Sequence, residues 1–170
     1  MKELLEAIEH DSLPQVKKLL QNNNYDLNCE VVIGAEYDLD EHDEIQLIFY
    51  LIQNGASKEA IELLIENGLD ITYTNREGLG ALDYAIKYKR KDIINLCKEY
   101  GIDLTTSKRK SGLTPLMLAA SFNDIELIEF LINEGADINT KDKFGMSALD
   151  YAKKMGQKKA AEFLEKYENR

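Results

Sequence analysis

Residues 112–139 carry the clearest structural signal in the chain: GLTPLMLAA at 112–120, DIELIEFLI at 124–132 and GADIN at 135–139. The Thr114 hydroxyl suits the cap of a helix whose first turn holds Pro115, because no amide donor is needed at that position. The apolar residues of the second segment recur at the spacing of one helix face. The signal therefore predicts two short helices, at about 115–122 and 125–133.

The same frame recurs along the chain. The position of the opening leucine is held, at nearly equal intervals, by Phe49, Leu82, Leu116 and Leu149. The residues that close the second helices, spaced by the same period, are Gly68, Gly101 and Gly135. Because helices this short cannot bury an apolar face alone, stacking of neighbouring units must supply the core.

This frame closely resembles the ankyrin repeat: a Gly-x-Thr-Pro-Leu opening, an Ala-Ala first helix, an apolar second helix and a Gly-Ala-Asp-x-Asn exit. The resemblance implies an all-α repeat solenoid of about five stacked helix-turn-helix units with short hairpin loops, capped at both ends. We expect a single domain over 1–170, with units at approximately 2–30, 42–74, 75–108, 109–141 and 142–170 and an acidic insertion at approximately 31–41. The cap-like ends argue against a fragment of a longer chain.

Several positions depart from the family pattern. The first unit lacks the Thr-Pro opening and the exit glycine, and the last unit stops before its exit. The Thr-Pro pair is Gly80-Ala81 in the third unit and Ser147-Ala148 in the fifth. The histidine that usually follows the opening leucine is replaced by Tyr50, Asp83, Met117 and Asp150. These losses predict weaker individual units within the same fold.

The link from Cys29 to about Gln46 is roughly eleven residues longer than the period requires. It contains no basic residue, and its acidic residues are Glu36, Asp38, Asp40, Glu41, Asp43 and Glu44. An extended hairpin finger and a mobile acidic loop both fit this composition.

The charge of the chain is unevenly distributed. The net charge is −10, which argues against general nucleic-acid binding. Residues 1–85 contain 5 Lys+Arg and 18 Asp+Glu, a balance of −13, whereas residues 86–170 contain 16 and 13, a balance of +3. Such an asymmetry orients charged partners.

No pattern in the chain indicates catalysis. His10 and His42 lack partners at metal-ligand spacing. The run Asp38-x-Asp40-x-x-Asp43-Glu44 is only faintly similar to a calcium loop, because it lacks the sixth-position glycine and the closing glutamate. No phosphate-binding loop, nucleophile elbow or zinc-protease motif is present. We therefore expect no enzyme activity, no cofactor and no metal ion, with calcium or small-ligand binding as a distant alternative.

The sequence favours a cytoplasmic protein without a membrane span. The N-terminus carries charges where a signal peptide needs an apolar core. No stretch of eighteen apolar residues occurs. Cys29 and Cys97 lie far apart in the sequence, in different units, which indicates free thiols in a reducing compartment.

Ankyrin arrays bind partners through the hairpin tips and the exposed side of the first helices, on a concave face. By position, the resemblance implies the partner-binding residues Asp43, Glu44, Arg76, Leu79, Tyr88, Lys110, Leu113, Phe122, Phe144, Met146 and Met155. The seven apolar and aromatic residues of this set all lie in units three to five. They predict an apolar patch rimmed by lysines, with Tyr88 and Phe122 as anchors, unless the hairpins fold over and bury some of them.

The leading interpretation is a protein–protein interaction module. The alternative is an immunity or inhibitor protein that neutralises a basic toxin or nuclease, which rests on small size, acidity and scaffold. We expect a protein partner whose basic region meets the acidic N-terminal end, no nucleic acid and no membrane. The apolar patch leaves both a monomer and a weak homodimer open.

A basic partner region that meets the insertion would make affinity depend on salt, because screening weakens exposed charge pairs. We expect the partner's Kd to rise at least about tenfold between roughly 50 mM and roughly 500 mM NaCl, measured by fluorescence anisotropy. A flat response would reject an electrostatic role for the insertion.

Overall fold

The computed structural model describes residues 1–33 and 43–168. The described residues form ten helices and one two-stranded sheet, in the order α1 Lys2–Glu9, α2 Leu13–Asn22, β1 Glu30–Ile33, β2 Asp43–Gln46, α3 Leu47–Gln53, α4 Lys58–Glu66, α5 Ala81–Lys87, α6 Lys91–Glu99, α7 Pro115–Ser121, α8 Ile125–Asn133, α9 Ala148–Lys154 and α10 Lys158–Glu168. The chain divides into two compact units, Met1–Tyr73 and Thr74–Arg170. The expectation of a single domain over 1–170 remains a prediction.

The unit Met1–Tyr73 is built from two helix pairs. Helix α1 packs on α2, and α2 packs on α4. Apolar residues on the facing sides of these helices are buried, including Leu4, Val16 and Ile61. Asn28 ties the chain before the sheet to the end of α4, because its side chain donates to the Gly68 carbonyl at 2.9 Å.

The unit Thr74–Arg170 contains three helix pairs. The first helices of the pairs, α5, α7 and α9, pack side by side in that order, and each also packs on the second helix of its own pair. Ala85, Ala119 and Ala152 have no exposed surface. Small side chains at these equivalent positions let neighbouring helices approach closely.

One backbone feature marks all five helix pairs. The turn between the two helices contains a left-handed residue in each pair: Asp11, Gly55, Lys89, Asn123 and Gly156. The last four of these residues follow one another at nearly equal intervals, whereas the interval from Asp11 to Gly55 is clearly longer. The longer first interval agrees with an insertion in this part of the chain, and its bounds at approximately 31–41 remain a prediction. The two helices predicted at about 115–122 and 125–133 are α7 and α8, and each begins and ends within one residue of the predicted position.

The helix caps correct one expectation. Thr114 caps α7 as predicted, since its hydroxyl accepts the Met117 N–H at 3.3 Å. Asp83 and Asp150, which replace the family histidine, were expected to weaken their units. Instead, their carboxylates accept the backbone N–H groups of Gly80 and Ser147, each at 2.8 Å. A carboxylate in the first helical turn satisfies a donor that the helix leaves unpaired and also complements the helix dipole.

The ends of the acidic insertion form an antiparallel pair. Strand β1 pairs with β2 from Glu30↔Gln46 to Ile33↔Asp43. This pairing favours the hairpin alternative for the described part of the link. The acidic residues Asp38 and Asp40 of the candidate calcium loop lie outside the described residues, and so does His42.

Neither cysteine forms a disulfide bond. Cys29 is half-buried and Cys97 is buried, and both are free. Burial raises the pKa of Cys97 to about 12, which keeps this thiol protonated and unreactive. Among the helices in the described ranges, none combines the length and apolar character that crossing a membrane would require.

The turn glycines provide a matched pair of substitutions. A Cβ on Gly78 would lie 2.0 Å from the Lys108 carbonyl oxygen, whereas a Cβ on Gly145 would meet nothing within 4 Å, and both residues have positive φ. We expect Gly145→Ala to lower the free energy of unfolding by about 1 kcal/mol through backbone strain alone. Gly78→Ala should lower it by at least about 2 kcal/mol, because backbone atoms cannot yield as a flexible side chain can. Urea denaturation measures both, and equal losses would contradict this packing.

Candidate protein-binding surface

Side-chain hydrogen bonds fix the hairpin tips in Thr74–Arg170. The Asn75 side-chain oxygen accepts the N–H groups of Glu77 and Leu79, both at 3.0 Å. At the equivalent position of the last unit, Asp142 Oδ1 accepts the N–H groups of Phe144 and Met146, both at 2.9 Å. A short polar side chain that bonds its own backbone is a standard way to hold a tight turn.

Neighbouring tips are joined through their backbones. The Lys110 N–H donates to the Glu77 carbonyl at 3.1 Å, and the Lys143 N–H donates to the Ser111 carbonyl at 2.9 Å. The Lys110 ammonium also pairs with the Glu77 carboxylate at 3.1 Å. The three tips therefore form a connected row.

A buried carboxylate anchors the last tip to its helix. Asp142 Oδ2 accepts the Tyr151 hydroxyl at 2.6 Å. Burial acts to raise the pKa of Asp142, but the hydrogen bonds from Tyr151, Met146 and Phe144 outweigh it and lower the pKa. Burial and the bond to Asp142 raise the pKa of Tyr151 to about 12. Asp142 is therefore charged and Tyr151 protonated at neutral pH.

A shielded ion pair connects the third and fourth repeats. Arg109 Nε lies 2.7 Å from Asp83 Oδ1, and each side chain is only 16% exposed. The other oxygen of Asp83 caps α5 through the Gly80 N–H. One carboxylate thus holds both the start of a helix and the tip of the next repeat.

The first helix of each pair in Thr74–Arg170 ends at a large side chain. Tyr88, Phe122 and Met155 are the C-cap residues of α5, α7 and α9. Because these helices pack side by side, their C-cap residues form a second row. In the last unit, Lys154 Nζ lies 3.9 Å from the Met146 sulfur, which links helix and tip. We call these two rows together the hairpin face: the three hairpin tips around Glu77, Lys110 and Lys143, and the helix ends at Tyr88, Phe122 and Met155.

The predicted site residues differ in exposure. Phe144 is 76% exposed and Met155 52%. Arg76 and Lys110 are exposed, and the half-buried members are Leu79, Tyr88, Leu113, Phe122 and Met146. The remaining two, Asp43 and exposed Glu44, lie in β2 of the unit Met1–Tyr73.

Two contributors to the hairpin face, Tyr84 and Asp142, were not predicted from the sequence. Tyr84 stacks on Tyr88 with ring centroids 6.2 Å apart and planes at 22°. The four-residue spacing of this aromatic pair on a helix was the available signal. Asp142 was not predicted either, and the available signal was its place in the repeat frame, which is that of Asn75. No cluster that could hold a metal ion occurs in the part of the chain that the structure describes.

A family model described as ankyrin repeats (3 copies) matches residues 4–108 and 99–169. The chain belongs to the ankyrin-repeat family. Its fold is the helix-turn-helix repeat solenoid of that family, with a small two-stranded sheet in addition. Ankyrin repeats bind protein partners, and they are generally not catalytic.

Similar curated proteins come from varied sources. An ankyrin repeat protein of fowlpox virus is 29% identical over 150 residues, covering 88% of this chain and 32% of that protein. A B-cell lymphoma 3 protein homolog of Mus musculus is 30% identical over 122 residues, covering 69% and 27%. An L-asparaginase of Dirofilaria immitis is 31% identical over 152 residues, covering 70% and 25%. The chain thus spans about a third or less of the length of these relatives.

The hydrogen bonds of Asp142 can be tested by amide exchange. Asp142→Ala removes the acceptor of the Phe144 and Met146 N–H groups. We expect these two amides to exchange about ten to a hundred times faster, as measured by NMR. Lys143→Ala is the control, because its bond to Ser111 uses the backbone. Unchanged rates in Asp142→Ala would show that the side chain does not hold the tip.

Proposed function

We propose that this chain is a protein–protein interaction module that binds a partner protein on the hairpin face. The observation that carries the proposal is the exposure of Phe144 at a tip and Met155 at a helix end. Neither side chain contributes to the core, and large exposed apolar side chains mark interaction sites when they lie together. Half-buried Phe122 and Tyr88 lie at the ends of the neighbouring first helices, in the same row as Met155.

The rigidity of the tips supports this role. Backbone bonds join neighbouring tips, and Asn75 and Asp142 fix two of them internally. Binding to a surface that is already ordered costs less conformational entropy than binding to a mobile loop. The hairpin face therefore presents its aromatic and apolar side chains in fixed positions.

Other functions have weaker support. The inhibitor of a basic toxin or nuclease rests on the acidic charge of residues 1–85, and much of the insertion lies outside the described residues. A basic region in the partner is likewise a prediction for that end of the chain. The match to an L-asparaginase covers a quarter of that enzyme and supports no catalytic role here. Absence of enzyme activity, a cytoplasmic location and a monomer or weak homodimer remain parts of the proposal.

A quantitative pull-down from host lysate tests the hairpin face. We expect Phe144→Ala/Met155→Ala to capture at least about tenfold less of the partner, because exposed apolar anchors of this size each contribute about 1–2 kcal/mol once buried. The matched control is Tyr100→Ala, since Tyr100 is 43% exposed but caps the end of α6, a second helix. Circular dichroism should show unchanged helix content in all variants.

The variants separate the possible sites. A partner lost from the double variant and kept by Tyr100→Ala supports binding on the hairpin face. A partner kept by the double variant would place the site elsewhere on the chain and contradict the proposal.

A further inference from the structure

The charges of the hairpin face are not balanced. Its exposed cations that form no ion pair within the described ranges include Arg76, Lys87, Lys108, Lys143 and Lys154, of which Lys154 also contributes to the lowering of the Asp142 pKa. Their positive charge is therefore available to a ligand, although Lys87 also lies 5.2 Å from the Tyr88 ring centroid. Cations around an aromatic and apolar row attract a negatively charged partner.

The carboxylates of the same face are already engaged. Glu77 pairs with Lys110, and Asp83 pairs with Arg109. Asp142 is buried against Tyr151. Asp150 accepts two hydrogen bonds from Ser147, and Lys141 contributes to the lowering of its pKa. The unsatisfied charge of the hairpin face is thus positive, although the whole chain carries −10.

The second helices show a different pattern. Lys91 pairs with Glu126 of α8, and Lys98 pairs with Glu134 at 2.7 Å. Glu129 and Glu162 are exposed on the same set of helices. Both exposed lysines of α6 that pair with α8 are thus used between repeats, whereas Arg76, Lys108 and Lys143 of the hairpin face form no ion pair in the part of the chain that the structure describes.

We propose that the partner presents an acidic peptide segment that carries at least one large apolar side chain. This inference rests on the proposed function and names the chemistry of the partner at that site. The acidic groups meet Lys143, Lys154 and the other cations that form no ion pair, and the apolar side chain packs among Met155, Phe144 and Phe122. The sign is opposite to that of the basic partner region predicted for the acidic N-terminal end.

The width of the hairpin face sets the length of peptide that is needed to cross it. Neighbouring helices pack about 8–10 Å apart, so three first helices span about 20 Å. An extended peptide covers this distance in about six residues, at about 3.3 Å each. A short linear segment is therefore long enough to contact all three repeats.

Selection from a displayed library of random twelve-residue peptides tests the inference. Peptides are selected on the parent protein and then screened against Phe144→Ala/Met155→Ala, so that only ligands of the hairpin face are kept. We expect these ligands to be acidic and to share a large apolar residue. Their Kd should rise at least about tenfold in Lys143→Glu/Lys154→Glu at roughly 50 mM NaCl. It should change less than about twofold in the control Lys17→Glu/Lys18→Glu, which alters net charge equally on exposed residues of α2.

Each other outcome has a defined meaning. Neutral or basic ligands that depend on Phe144 and Met155 would overturn the inference and leave the proposed function intact. An equal loss in both charge variants would also overturn it, because the effect would then be general. If no selected peptide depends on Phe144 and Met155, the proposed function fails as well. Binding of labelled oligothymidine that is tighter than peptide binding and is lost in Lys143→Glu/Lys154→Glu would indicate a nucleic-acid surface instead.

Discussion

Packing of one repeat on the next is the interaction on which this structure depends. Helices of seven to eleven residues have too little apolar surface to be stable alone. In Thr74–Arg170, the side-by-side packing of α5, α7 and α9 supplies the missing partners, and fully buried Ala85, Ala119 and Ala152 allow close approach. Stacking also aligns equivalent residues of successive repeats. The core and the hairpin face therefore have the same cause.

Polar contacts between repeats give this stacking its register. The Asp83–Arg109 pair and the backbone bond from Lys110 to Glu77 both connect the third repeat to the fourth. A shielded ion pair contributes little net stability but strongly penalises arrangements in which one partner is left alone. Such contacts restrict how the tips can lie relative to one another, which is what a binding surface with fixed side-chain positions requires.

The fold was predictable because the repeat period constrains many residues at once. Thr114, Pro115 and Gly135 each have a local role, and the recurrence of their frame along the chain left one architecture. The effect of replacing the family histidine was predicted wrongly, because the repeat pattern marks only the loss of the histidine, whereas Asp83 and Asp150 accept the N–H groups of Gly80 and Ser147. The spacing of Ser147 and Asp150, typical of a capping box, was the available signal. Exposure was only partly predictable. Leu79 and Phe144 both occupy hairpin tips, yet only Phe144 is widely exposed, since local packing decides exposure at each tip.

The balance of charge also depends on structure rather than composition. The sequence shows an acidic chain whose residues 86–170 are slightly basic, whereas the contacts show which lysines of the hairpin face form no ion pair. The central claim is that a ligand binds this face. Hydrogen–deuterium exchange of the chain with a selected peptide bound tests it most directly. The account predicts protection at the tips and first helices of Thr74–Arg170, with α6 and α8 unchanged. Protection confined to α6, α8 and α10, or to Met1–Tyr73, would contradict it.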